Sequence, residues 1–182
     1  AGVPCIVHTY HGHVLEGYFG PVLNGILRLV EQGLGSLSSA LCSVSKQQVD
    51  ELSQRFSIAS PAKFHVVPLG VDLEPLLELP PPDFFTSRLT IGWLGRFVPI
   101  KNLKLLIQIA TEASKRNLPV NFIVAGDGPD RPWLEASIRV LELKNICLLP
   151  WQDHIDFVLK DCHALILTSH REGTPLALIQ GM

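Results

Sequence analysis

No apolar stretch in this 182-residue chain approaches the roughly 18 residues that a membrane-crossing helix needs. Nor does "AGVPCIVHTY" hold the basic start and apolar run of a secretory leader. The first residue is Ala and the first ten already read as a buried strand. The sequence is therefore expected to be a fragment with its natural N-terminus upstream. Its four cysteines (Cys5, Cys42, Cys147, Cys162) show no C-x-x-C spacing, and each lies in an apolar run. They read as small buried hydrophobes of a reducing, cytoplasmic compartment and not as a disulfide framework. Charge is sparse, at 18% of residues and a net of −2, so nothing global recruits nucleic acid. No G-x-S-x-G, H-E-x-x-H or G-x-x-x-x-G-K-[ST] occurs, which removes support for a hydrolase elbow, a zincin and a P-loop.

What is present is apolar and evenly punctuated. Apolar residues reach 47%, a globular composition. Net charge is −1 over residues 1–72 and +2 over 88–182, while 73–87 hold three acids and no base. That middle stretch, within "LEPLLELPPPDFFTSRL", carries three consecutive prolines, which fit neither a helix interior nor a central strand. It reads as a linker between two units. On either side, short strands apolar throughout alternate with amphipathic helices, the pattern of parallel α/β sheets covered on both faces. Ser45 is placed to cap the helix "KQQVDELSQRF", and Pro21 to open the helix before it. Such sheets hold ligands outside the carboxyl ends of their strands, and a cleft site is expected there.

Four polar clusters fall at strand ends. In "GRFVPIKN", Arg96 and Lys101 supply two cations suited to a diphosphate, one bidentate and one a point charge; two solvated loop residues would look the same. "AGDGPD" can approach a ligand or simply turn the chain; it lacks the third glycine of a dinucleotide fingerprint, and Pro129 with Asp130 starting a helix is the favoured reading. In "SHREGTP", Thr174 is a good N-cap and Pro175 suits a first helical position, so free N–H groups there form an anion site. Glu172 lies just outside that cap, where it can accept from hydroxyl groups or merely favour the helix dipole. In "HTYHGH", His8, His11 and His13 lack a matching Asp, Glu or Cys, so a metal is disfavoured against one histidine reaching a sugar or phosphate.

In this order, "HTYHGHVLEGYFGP", "VSKQQVDEL", "VVPLGVD", "GRFVPIKN", "VAGDGPD" and "LTSHREGTPLALIQGM" resemble the landmarks of the retaining GT-B glycosyltransferases of family 4, over nearly the whole chain. The resemblance implies two Rossmann-like parallel-sheet domains, both incomplete. Residues 1–72 would be the C-terminal part of an acceptor-side N-terminal domain. Residues 73–87 would be a Pro-rich linker, and 88–182 a nucleotide-sugar-binding domain truncated at its C-terminus.

The resemblance also implies roles. Arg96 and Lys101 would bind the donor diphosphate, with backbone donors at Gly173 and Thr174. Glu172, the first acid of the family's E-x7-E motif, and His11 would act at the donor sugar and its leaving phosphate. Trp151 and Gln152, in "PWQD", would line the nucleobase. Where the motif has its second acid this chain has Gln180, a neutral ribose contact expected to weaken nucleotide binding without abolishing it.

A nucleotide-sugar donor, a saccharide or lipid-linked acceptor and no metal or other cofactor are the implied partners, in polysaccharide or glycoconjugate synthesis. Peripheral association with the inner face of a membrane through "GYFGPVLNGILRLV" is set against an ordinary core-facing helix, which its few basic residues favour. A sugar-nucleotide epimerase and a non-catalytic sugar-nucleotide-binding homologue stay as alternatives, and truncation implies that this piece alone is inactive.

Overall fold

The computed structural model describes residues 2–12, 15, 19–172 and 174–182. The chain divides into two compact units, Ala1–Gly70 with Glu172–Thr174, and Val71–Arg171 with Pro175–Met182. Each is built on its own parallel sheet.

The first unit has three strands in the order β1 (Val7–Tyr10), β2 (Ala40–Ser43), β3 (Phe64–Val66), with Tyr10 opposite Ser43 and Leu41 opposite Phe64. Helix α1 (Pro21–Leu37) connects β1 to β2, with Pro21 in its first turn, where a missing N–H costs nothing. Helix α2 (Lys46–Asp50) starts at Ser45, whose hydroxyl accepts from the Gln48 amide at 3.2 Å, and runs on into a wider π-type turn, Glu51–Arg55. Tyr10, Leu15, Leu41, Leu52, Phe56 and Phe64 form the core.

Two expectations fail in this unit. Only β2 is buried: β1 and β3 are both sheet edges, and Val7 is 57% exposed. Helix α1 also turns its polar side inward. Arg28 Nε and Gln32 Nε2 donate to the Phe56 carbonyl (2.8 and 3.0 Å), and Glu31 accepts from Tyr10. Lys63 Nζ donates to three carbonyls at the C-terminus of α1, those of Gly35, Ser36 and Ser38, where a cation also meets the negative end of the helix dipole. Val22, Ile26, Leu29, Val30 and Leu37 face outward.

The second unit has four parallel strands in the order β6-β5-β4-β7: β4 Leu89–Leu94, β5 Val120–Ala125, β6 Ile146–Leu149 and β7 Ala164–Leu165. The register sets Leu94 beside Ala125 and Ala125 beside Leu149, so three strands end level. Helix α4 (Leu103–Lys115) buries Leu103, Leu106, Ile107, Ala110 and Ala113, the spacing of a single helical face. With Trp93, Phe97, Phe122, Val124 and Leu134 these make the larger core, each fully buried Val, Leu or Phe side chain contributing about 1.5–3 kcal/mol. Helices α5 (Arg131–Val140), α6 (Asp156–Leu159) and α7 (Leu176–Gln180) complete the unit.

The proline-rich stretch belongs to this second unit and holds one helical turn, α3 (Glu74–Leu77). His163 pins it. Its Nδ1 accepts from the Thr90 amide (3.0 Å), so the proton sits on Nε2, which donates to the Asp83 carbonyl at 3.0 Å.

The cysteines are not the uniform buried set that their apolar surroundings suggested. Only Cys162 is buried, while Cys5 and Cys147 are exposed, since Cys147 lies on the edge strand β6 and Cys5 just before the edge strand β1. Among the described residues, no helix is long and apolar enough to cross a membrane.

Candidate functional site

In the second unit the chemistry gathers at the level carboxyl ends of the strands. Beyond β4, Gly95 N donates to the Ala125 carbonyl (3.1 Å) and Phe97 N to that of Asp127 (2.8 Å), while Asp130 N donates back to the Phe97 carbonyl (3.0 Å). The "GRF" and "GDG" segments therefore lie backbone against backbone. Gly126 and Gly128 allow this: a Cβ at Gly126 would collide with the Gly95 carbonyl, and one at Gly128 with that of Phe97. The glycines of "AGDGPD" thus have a packing reason, and helix α5 starts after Asp130 with no side-chain cap.

Arg96 is exposed at the start of this loop, and Lys101, half-buried, ends a 3-10 turn, Pro99–Lys101. Asn102 follows in the left-handed region (φ 50°), where its side chain accepts from the Leu105 amide and begins α4. The segment leaving β7 runs alongside. Ile166 N donates to the Gly92 carbonyl and His170 N to that of Ile100, both at 2.9 Å. Trp93 Nε1 donates to Thr168 Oγ1 at 2.9 Å, and that hydroxyl donates to the Lys101 carbonyl at 2.8 Å. Arg96, Lys101 and the chain leading to Glu172 are thereby held at the carboxyl ends of β4 and β7.

The other expected residues are placed as follows. Trp151 and Gln152 follow β6; the Trp151 indole is exposed, with its N–H donated to Asp153 (3.1 Å), and Gln152 donates to the Pro150 carbonyl (3.2 Å). Glu172 and Thr174 are half-buried and group with the first unit. Thr174 is not the cap of the last helix. Pro175 occupies that position with a non-helical ψ (72°), so α7 starts one residue later, at Leu176. The expected donor Gly173 lies outside the described residues, as does His13. Gln180 is not gathered with the cations: it lines a hollow of about 210 Å³ whose other walls include Pro80, Cys162, His163 and Leu165.

In the first unit, His11 is exposed one residue beyond β1 and helps wall a hollow of about 260 Å³ with His8, Tyr10, Leu15 and Glu31. Sequence reasoning missed two supports here. The Tyr10 hydroxyl donates to Glu31 Oε2 at 2.8 Å. Burial, then that bond and the Glu31 charge, hold the hydroxyl's pKa well above its ordinary value, so it remains a proton donor. The second is Gln48, buried at the start of α2. With its amide assigned the orientation that satisfies both ends, its Nε2 donates to Ser43 Oγ (2.6 Å) and the Tyr10 carbonyl (3.0 Å), and its Oε1 accepts from the Gly12 amide (3.2 Å), bracketing His11. Ser45 announced this helix from the sequence, but no local signal marked Gln48, Tyr10 or Glu31 as partners.

The family model of the glycosyl transferases group 1 matches residues 80–182, more than half of the chain and the whole strand-end constellation of the second unit. The chain belongs to this family. It is 27% identical over 192 residues to the Escherichia coli UDP-Gal:alpha-D-GlcNAc-diphosphoundecaprenol alpha-1,3-galactosyltransferase, an alignment covering 99% of the chain and 49% of that enzyme.

Among solved structures it matches a variant of Staphylococcus aureus TarM in complex with fondaparinux, alpha-GlcNAc-glycerol and UDP (TM-score 0.75, 19% identity, 96% of this chain and 34% of that one). It also matches Anabaena HepE in complex with UDP and glucose (TM-score 0.74, 16% identity, 97% and 50%). The family chain thus has the parallel α/β sheets of GT-B glycosyltransferases. It spans at most about half the length of these relatives.

Proposed function

We propose that this protein is a retaining glycosyltransferase that moves a sugar from a UDP-sugar to a saccharide or lipid-linked acceptor in polysaccharide or glycoconjugate synthesis. The observation that carries the reading is the pair Arg96 and Lys101, held at the level strand ends of the second unit by backbone hydrogen bonds. The name of the Escherichia coli relative supports both the UDP donor and a lipid-linked acceptor.

In this reading the bond from the anomeric carbon to the donor phosphate breaks, and UDP leaves with growing negative charge. The acceptor hydroxyl bonds to that carbon on the same face and its proton passes to a donor phosphate oxygen. Arg96 and Lys101 stabilise the leaving diphosphate, and fixed cations do so without reorganising as charge develops. The amides at Gly173 and Thr174 are assigned to the same phosphates. Glu172 is assigned to the sugar hydroxyls, His11 to the sugar and its leaving phosphate, and Trp151 with Gln152 to the base. In this reading the two cations and the backbone amides take the place of a metal at the diphosphate, so EDTA should leave turnover unchanged.

Calorimetry of the full-length protein with UDP and with UMP tests the reading. Arg96→Ala and Lys101→Ala should each weaken UDP about tenfold or more, since a hydrogen bond to a charged group contributes about 1.5–3 kcal/mol and about 1.4 kcal/mol is tenfold. UMP, which lacks the second phosphate, should lose less. Variants that bind UDP like the wild type would refute the assignment. The ribose role of Gln180 rests on its position eight residues after Glu172. Gln180→Glu should tighten UDP, and a variant binding no better would remove that role.

A further inference from the structure

We propose that Thr168 is a positioning residue for donor binding: its buried hydroxyl, oriented by the Trp93 indole, fixes the backbone of Lys101 and so aims the lysine. The proposal rests on the reading that Lys101 binds the donor diphosphate.

The direction of each hydrogen bond follows from the groups present. Indole N–H is a donor with no acceptor capacity, so at 2.9 Å it takes a lone pair of the Thr168 hydroxyl. The hydroxyl has one proton, and this goes to the Lys101 carbonyl at 2.8 Å. Trp93 is 0% and Thr168 4% exposed, so water cannot substitute for either partner. The neighbouring carbonyl, that of Ile100, accepts from His170 N at 2.9 Å. Two successive carbonyls of the turn that carries Lys101 are therefore pinned to the segment leaving β7, four residues or fewer before Glu172. On the other side Lys101 N donates to the Val98 carbonyl at 2.9 Å, and Asn102 begins α4 in the left-handed region.

Packing alone does not call for this arrangement. Valine has nearly the volume of threonine and would fill the same place between β4 and the β7 exit. It would leave the indole N–H and the Lys101 carbonyl unpaired, and an unpaired buried group costs more than a hydrogen bond gains. A buried, fully satisfied polar chain instead selects one backbone arrangement among those that apolar packing would tolerate. Here the arrangement it selects holds a cation at the carboxyl end of β4.

The test is a double-mutant cycle on the full-length protein, with UDP as the probe and calorimetry run well below each variant's melting temperature. Thr168→Val should weaken UDP about fivefold or more, with Thr168→Ser staying within about twofold of wild type because it keeps the hydroxyl. On the Lys101→Ala background, Thr168→Val should change UDP affinity by less than about twofold, since residues in one network are not additive. In steady state the KM for the UDP-sugar should rise more than kcat falls.

Thr168→Val binding UDP like wild type, or weakening it equally with and without Lys101, overturns the proposal. Lys101→Ala binding UDP like wild type overturns the diphosphate reading itself, and the proposal with it. Should Thr168→Val not fold, Trp93→Phe removes the orienting N–H and must give the same dependence on Lys101.

Discussion

Cys162 lies just before β7, its thiol donating to the Val158 carbonyl at 3.1 Å, against a glycine on β4 whose Cβ, were there one, would meet the sulfur at 2.7 Å. Burial, then the charge of Asp161, push its pKa up to about 11 from an ordinary 9.0. The sign of the effect follows. The folded protein holds this proton more tightly than the unfolded chain, so the thiol's contribution to stability is whole below 9.0. It is lost as pH climbs from 9.0 towards 11. Because the thiolate is the nucleophile, iodoacetamide at about pH 8 should label the exposed Cys5 and Cys147 and spare Cys162. Peptide mapping after brief labelling reads this directly, and Cys162 modified as fast as Cys147 would contradict the burial. The same scale holds Trp93, Thr168 and Lys101, where one hydroxyl proton decides what a loop carbonyl is tied to.

Among the elements, the loop after β5 is tightly constrained. Its two glycines bring "GDG" into backbone contact with "GRF", the segment that carries Arg96. Gly128→Ala should therefore cost about 1–3 kcal/mol through backbone strain alone, and more where the Phe97 carbonyl must shift. A melting curve measures the stability, and UDP titration should show affinity falling too, because Phe97 lies directly after Arg96. A variant as stable and as tight as wild type would mean the loop has slack that this geometry does not show.

Much at this scale was legible beforehand. Among the described residues the alternating strands and long helices follow the apolar pattern, Ser45 does cap its helix, and the turn reading of "AGDGPD" has a packing cause. The orientation of α1 was not legible. It carries apolar residues on more than one face, and its inward side was decided by distant partners: the Phe56 carbonyl for Arg28 and Gln32, Tyr10 for Glu31. The start of α7 was misplaced by one residue because Pro175 suits a first helical turn on φ alone, and its ψ of 72° is not helical.

Across the whole molecule, the two units divide the sequence unevenly in both charge and order of contact. The acidic, proline-rich stretch joins the basic second unit, held there by His163 through Thr90 and Asp83. The hydrogen bonds around Lys101 connect segments 67 to 75 residues apart, so no window of sequence contains them. For the same reason the expected clusters were found singly, by their strand-end positions, while the ties between them were not.

If UDP binds where Arg96 and Lys101 lie, its contacts tighten an existing web of hydrogen bonds rather than order a new element. Hydrogen exchange of the full-length protein should then show UDP slowing residues 95–102 and 166–171, where opening must break the Thr168 and His170 bonds. β2 and β3, residues 40–43 and 64–66, should exchange at unchanged rates. Protection spread evenly over both sheets would instead mean that UDP stabilises the molecule globally, by mass action on its unfolding, and that the strand-end web has no special part in holding the nucleotide.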